Sequence, residues 1–334
     1  ATDAPFLSGQ ARLAVNAAAC RRCGLCLSGC VYGAIHSLAP EVDALAAAGA
    51  LDYQADSFVE RLSETAKGVT LRVRHTKSGV IREAEFDYVF VAAGAIQSTR
   101  IMLESFGLYG QTLELKDSQK FVLPLLRTRR TPLAWPNNTA LAGMFVDFQM
   151  PEISRHWIHA QVSSMNDYVL RRLRIDPWKR GMWASILAPL YERMLVAWCG
   201  LHSDHSSGMT IALNAPVSDN RPVLQLAPSI NPKVEMTVRK IARYFARRVA
   251  RTGTIALVPM RLLGKPGAGN HFGGSFPMKR APKERTETDL LGRPLGTRRI
   301  HMVDGAVLPS IPATTVVLLQ MANADRIASA AEFS

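Results

Sequence analysis

Four of the five cysteines fall within eleven residues, Cys20, Cys23, Cys26 and Cys30 in the run CRRCGLCLSGC, and only Cys199 stands apart. Disulfide frameworks spread their cysteines along small secreted chains. Thiols clustered in a chain of 334 residues point instead to a bound metal or cluster. The spacing C-x2-C-x2-C-x3-C is that of the bacterial iron–sulfur run, in which short loops turn successive thiolates towards one cluster. Val31 stands where a proline usually follows, and the run occurs once. In two-cluster ferredoxins the fourth cysteine serves the other cluster, so Cys30 would need a different role here. Cys199 could close the site from a distance, or three thiolates could hold a smaller cluster. An iron–sulfur cluster, a structural zinc site of four thiolates and metal-free thiols all remain open.

The remainder reads as globular. With 48% hydrophobic and 20% charged residues, the chain can bury one large core or two ordinary ones. No run of 18 apolar residues is uninterrupted, and the greasiest stretch, 182–198, is broken by Glu192 and Arg193, so no transmembrane segment is expected. Residues 1–9 lack a basic region followed by an apolar one, so no secretory signal is visible and a cytoplasmic location is expected. Forty Lys and Arg against 27 Asp and Glu give a charge of +13, which suits acidic partners or a phosphate-bearing cofactor. The cations come in short groups (Arg127, Arg129 and Arg130; Arg171, Arg172 and Arg174) with no basic stripe interleaved with aromatics. Nucleic-acid binding is therefore not expected.

Along the chain the texture changes twice. Residues 68–74 alternate at period two and stop at Lys77-Ser78-Gly79, which predicts a hairpin. Residues 86–93 form a near-continuous apolar run closed by Gly94, predicting a strand buried on both faces. Residues 95–105 then have helical spacing through Ile96, Ile101, Met102 and Leu103. Between 111 and 260 lie strand-like runs at 121–126, 141–148, 157–162 and 209–213 and one long basic helix, 233–252, the mixture of a separate α+β unit. A Gly/Pro-rich stretch, 264–270, introduces a third segment with a short strand near 300–304 and a closing helix, 314–331, for which Thr314 or Thr315 is the candidate N-cap.

The segment Asn270-His-Phe-Gly-Gly-Ser-Phe-Pro-Met278 sets His271 beside flexible glycines. Histidine titrates nearest neutrality and is the natural general base. His202 and His205 flank Asp204, an arrangement better explained by local loop hydrogen bonding than by a metal. Gly267 and Gly269 open no phosphate loop, because no strand precedes them and no further motif glycine follows.

Residues 271–278, then 303–309 (Val-Asp-Gly-Ala-Val-Leu-Pro), then 321–328 (Met-Ala-Asn-Ala-Asp-Arg-Ile-Ala) resemble the C-terminal signature of glucose–methanol–choline (GMC) oxidoreductases. Residues 86–105, with Val91-Ala-Ala-Gly-Ala95, are similar to that family's central flavin-domain segment, and the cysteine run resembles a subgroup carrying such a stretch ahead of it. The resemblance implies an α/β plus α+β fold: a GMC-type FAD-binding domain, here 1–110 with 264–334, and an inserted antiparallel-sheet substrate domain, 111–263. It implies that His271 is the base, that Asp304 and Gly305 meet the flavin, that Ala93 and Gly94 line its side of the sheet, and that Val59 touches the adenine through its backbone. It implies a small-molecule alcohol as substrate, FAD as cofactor, and an electron-acceptor protein or a quinone reached through an iron–sulfur cluster.

Two departures stand out. The family's second catalytic position falls on Thr315, which can hydrogen-bond a hydroxyl but cannot act as a base near neutral pH. The strand, G-x-G-x-x-G turn and acidic ribose ligand that cradle the ADP half of FAD are missing, so the FAD domain is expected to be incomplete, lacking its first βαβ unit. An electron-transfer or metal-binding module without catalysis, and an inactive fragment of such an enzyme, therefore stay open beside the dehydrogenase.

Overall fold

Where the sequence alternates, the chain forms antiparallel sheet, and the few continuous apolar runs become short buried strands and helix faces. The computed structural model describes residues 5–129, 141–165, 189–190, 192–217 and 221–331. Arg130, Arg171, Arg172, Arg174 and most of the greasy stretch before Glu192 lie outside the described residues. The chain divides into two compact units, one of residues 1–53, 120–200 and 235–264, the other of 54–119, 201–234 and 265–334. The boundaries therefore fall at 53/54, 119/120, 200/201, 234/235 and 264/265, whereas the sequence suggested breaks at 110/111 and 263/264.

The first unit is built on seven strands, β1 (Phe6–Gln10), β7 (Lys120–Arg127), β8 (Met144–Met150), β9 (Ser154–Ser164), β10 (Met194–Gly200), β13 (Thr254–Ala256) and β14 (Leu262–Leu263). They run antiparallel in the order β1-β8-β9-β10-β7-β13, with β14 also on β7. Alternation decides the faces: in β9 Ile158, Ala160 and Val162 are buried while His159 and Gln161 are half-buried on the other side. Helix α1 (Ala39–Ala47) follows the cysteine run. The basic helix α3 (Val234–Val249) buries Val234, Val238, Ile241, Ala242 and Phe245, one stripe at helical spacing. Phe148 of β8 packs on Tyr244 and Phe245 at ring separations of 5.4 and 5.8 Å. The sequence carries this helix to residue 252, but its last three residues tighten into a 3-10 turn closed by Gly253 in the left-handed region, φ 71°.

The second unit holds three sheets. The predicted hairpin is β3 (Val69–His75) and β4 (Ile81–Phe86), joined through Gly79 at φ 75° and flanked by β2 (Ser57–Glu64). A four-stranded antiparallel sheet runs β12 (Val223–Ser229), β11 (Gly208–Asn214), β6 (Thr112–Asp117), β15 (Phe272–Gly273). The third is a parallel pair, β5 (Val89–Val91) and β16 (Ile300–Met302). Helices α2 (Ala95–Ser105) and α4 (Val317–Ala330) complete the unit. Its core gathers Ile101, Met102 and Leu103 of α2 with Leu115, Ile211, Phe276, Ile300 and Met302.

The strand at 86–93 is corrected by this arrangement. Phe86 ends β4 opposite Val69, and only three residues remain for β5, with Phe90 partly exposed and stacked on His301. An apolar run cannot say where one strand stops and the next begins when both are greasy.

Candidate functional site

The parallel pairing of β5 and β16 sets Val91 beside Met302, and the Val303 N–H donates to the Val91 carbonyl at 3.0 Å. Parallel strands deliver their C-terminal ends to one side, so Ala93-Gly94 and Asp304-Gly305 emerge together, 211 positions apart in sequence. Ser98 of α2 ties them: the Ala93 N–H donates to its Oγ at 3.1 Å, and that hydroxyl donates to Asp304 Oδ2 at 2.5 Å. The other carboxylate oxygen accepts from the Ala306 N–H at 2.9 Å and caps a 3-10 turn over Gly305–Val307. Burial pushes the Asp304 carboxyl above its ordinary range, against the hydrogen bonds from Ser98, Ala306 and Gly94. Gly94 has φ 85°, and a Cβ built there meets nothing within 4 Å, so open space lies before the strand end at the start of α2.

The strip 272–278 is laid along this corner. Gly274, Phe276 and Met278 donate their N–H groups to the carbonyls of Gly305, Ala306 and Val307 at 2.9–3.0 Å, and Ser275 Oγ meets Thr99 Oγ1 at 2.6 Å. A Cβ on Gly273 would stand 2.1 Å from the Gly305 carbonyl oxygen. His271, half-buried, heads the strip, and its carbonyl accepts the Ser118 N–H at 3.3 Å. Three segments remote in sequence thus share one hydrogen-bonded corner.

Gly273→Ala is accordingly expected to destabilise this unit by about 2–3 kcal/mol, because the obstacle is backbone and cannot rotate away. Gly94→Ala meets space and bears only the left-handed backbone penalty, about 1–2 kcal/mol. Thermal melting of the two variants checks this, and a milder loss at Gly273 than at Gly94 counts against the close approach.

Thr315 is exposed and is not the N-cap. Helix α4 starts at Val317 with Val316 as its cap and no side-chain hydrogen bond. Val316 is instead buried with Leu308 and Ile311, so apolar packing anchors the helix start. Val59 lies on β2, an edge strand among the described residues, at a β-bulge, and its carbonyl accepts from Arg100 Nη2 at 2.5 Å. His301 is 2% exposed and its ring Nδ1 is 2.8 Å from the Leu291 carbonyl, which fixes the proton on that nitrogen. His202 accepts the Asp204 N–H through Nδ1 at 3.2 Å, the local loop bonding expected of it.

Two polar residues escaped sequence reasoning. Asp117, 1% exposed at the end of β6, accepts the Gly267 N–H at 2.9 Å and fastens the loop ahead of His271. Arg100, 8% exposed in the middle of α2, donates to Gln97, Glu104 and the carbonyls of Val59 and Glu60, and lies over the Phe58 ring. Nothing in a helical pattern marks a charge as buried; the only signal is an arginine inside an otherwise apolar stripe.

In the first unit all four clustered cysteines line one small apolar cavity with Leu25 and Ile35. The backbone turns them there through left-handed residues, Arg22 at φ 51°, Gly24 at 75°, Gly29 at 99° and Gly33 at 61°. The Ala34 N–H donates to Cys30 Sγ at 3.3 Å, and backbone donors from Ala34 and Tyr32 hold this thiol below its usual range. No three of these sulfurs lie within 4.8 Å of one another, wider than the roughly 3.8 Å edges of a tetrahedral zinc site with 2.3 Å bonds. Cys199 does not line the cavity: it is fully buried in β10, and burial drives its thiol far up. Cys199 therefore does not close the site formed by the cysteine run. Under native conditions Cys30 should be alkylated promptly and Cys199 only on unfolding. Peptide mapping after a brief iodoacetamide pulse checks this, and early label on Cys199 contradicts it.

No family model matches the sequence, and no curated protein matches it. Among solved structures the fold is similar to that in "Crystal structure of pyridoxine 4-oxidase from Mesorbium loti", with a TM-score of 0.52 and 16% identity over 82% of this chain. The match spans 56% of that protein, so this chain covers little more than half its length. At that identity the likeness is one of fold alone, a mixture of α/β and antiparallel sheet. No helix among the described residues is long and apolar enough to cross a membrane.

Proposed function

We propose that the chain is the greater part of a GMC-type, FAD-dependent dehydrogenase that oxidises the CH–OH group of a small-molecule alcohol. The observation that carries this reading is the corner where Ala93-Gly94, Asp304-Gly305 and the strip from His271 are bonded together before open space. Gly94 offers no side chain there and the backbone of 304–307 is fixed by its own cap, which supports placing a planar ring against this corner.

Bound FAD supplies the hydride acceptor. With FAD bound, His271 would take the proton of the substrate hydroxyl, and Asp304 and Gly305 would hold the flavin. The positive N-terminus of α4 favours negative charge gathering near it. Thr315 would orient a hydroxyl by hydrogen bonding and could not deprotonate it. Val59 would reach the adenine through its backbone.

The ADP half needs a further strand, Gly-rich turn and helix. A parallel pair is rarely left uncovered, and β5 and β16 have open edges among the described residues. In the same unit helix α4 exposes Val317, Leu318 (77%), Leu319 and Met321. Both features support completion of the sheet by a segment outside this sequence. In this reading, residues 1–110 with 264–334 form the flavin domain and 111–263 the substrate domain. The thiol cavity supports a cluster at Cys20, Cys23, Cys26 and Cys30 that passes electrons to an acceptor protein or quinone.

The same cavity, taken alone, favours a second reading: a metal-binding electron carrier without catalysis. Anaerobic purification decides between them. Flavin absorbance in the visible blue, bleached by an alcohol, supports the dehydrogenase; iron and acid-labile sulfide without bound flavin, even when FAD and the completing segment are supplied, supports the carrier. Zinc in place of iron would remove the cluster from either reading.

A further inference from the structure

The flavin chemistry makes no use of the basic helix. Burial of Val234, Val238, Ile241, Ala242 and Phe245 fixes which side of α3 faces solvent. That side carries Arg239, Arg243, Arg247 and, in the 3-10 turn beyond, Arg251 at steps of four, with Lys240 beside them, all exposed. At 1.5 Å per residue the row is about 18 Å long. None of these five makes an ion pair among the described residues, and the helix's one acid, Glu235, is engaged by Arg261. Like charges four apart weaken a helix, so the row is not explained by the stability of α3. A counter-charge from outside the unit explains it.

The surroundings of the row point to the class of partner. No aromatic or amide side chain is exposed within it to read a base edge, so it recognises charge density rather than sequence. Exposed apolar side chains stand at both ends: Met236 (56%) and Met260 (53%) at the start of the helix, where Arg261 meets Glu235, and Ile255 on β13 beyond its end. Cations for headgroups with apolar groups for the acyl boundary are what an interfacial surface presents. We propose that α3 docks the protein on an anionic membrane surface, with its arginine row among the lipid headgroups and Met236 and Met260 at the acyl boundary. This does not depend on the flavin reading.

Vesicle flotation of the full chain tests it, with phosphatidylcholine vesicles with and without phosphatidylserine. Binding is expected only to the anionic vesicles and is released by high salt. Each cation at such a surface contributes about fivefold, so the variant R239Q/R243Q/R247Q/R251Q should bind several hundredfold more weakly, at an unchanged melting temperature. A charge-matched variant at scattered exposed sites, R12Q/K67Q/R280Q/K283Q, should lose less than about tenfold. Equal losses from the two variants, or no preference for anionic vesicles, overturn the proposal. So does binding to duplex DNA or to an acidic protein in place of the vesicles, which would assign the row to that partner. Should the α3 variant melt early, M236S/M260S in its place must still weaken vesicle binding while leaving its salt release intact.

Discussion

Replacing His271 by alanine is expected to slow reduction of the bound flavin by an alcohol by about 10²–10⁴-fold, the usual contribution of a general base. Flavin content should be unchanged, because the strip below it is held by backbone bonds from Gly274, Phe276 and Met278 that do not involve the imidazole. The loss should appear in the rate of the chemical step rather than in substrate affinity, as for a group acting only in the transition state. His301 is the control. It is buried, its Nδ1–H is committed to the Leu291 carbonyl and its ring stacks on Phe90 at 5.2 Å. Its loss should register in the melting temperature and hardly in the rate at a temperature where the variant stays folded. Stopped-flow reduction of the FAD-loaded, completed enzyme separates the two. Equal rate losses, or an undiminished rate for His271→Ala, would sink the assignment of the base.

Arg100→Met is expected to cost about 3–5 kcal/mol of stability, the range for removing one partner of a buried charge pair. The methionine keeps the apolar bulk over Phe58, so the cost is electrostatic. It leaves the carbonyls of Val59 and Glu60 without this donor and strips Glu104 of its 2.8 Å ion pair. Burial already raises the Glu104 carboxyl, with Arg100 opposing, so without the arginine it should rise further and take up a proton at higher pH. Lysine should rescue little, having no planar fork to serve several acceptors. At about 2–4 °C per kcal/mol for a unit of this size, the melting temperature should fall by roughly 10 °C. Because α2 also carries Ser98, the clasp on Asp304, flavin retention should weaken in parallel. A loss below about 1 kcal/mol would mean that water reaches these groups and that Arg100 is an ordinary surface residue.

Much of the fold was legible because it rests on local pattern. The hairpin at 69–86, the helix over Ala95–Ser105 and the strands β7, β8, β9 and β11 follow from alternation, turn residues and helical spacing. The failures share one cause. Residues 86–93 read as a single strand and Thr314 or Thr315 as a cap because apolar runs and cap residues are local signals, while the structure resolved both by packing: β4 against β3, and Val316 against Leu308 and Ile311.

The sequence by itself determined which segments could carry chemistry: the cysteine spacing, the histidine ahead of paired glycines and the Val-Asp-Gly strand end are short-range facts written in consecutive residues. Only the tertiary structure decided that residues 93–98, 271–278 and 304–307 meet, that all four clustered cysteines line one cavity, and that Cys199 does not. It also decided that Arg100 and Asp117 are buried and bonded. The physical reason is that burial and hydrogen-bond partnership are properties of the packed chain. A parallel strand pair, unlike a hairpin, is made by residues whose separation along the sequence carries no local trace.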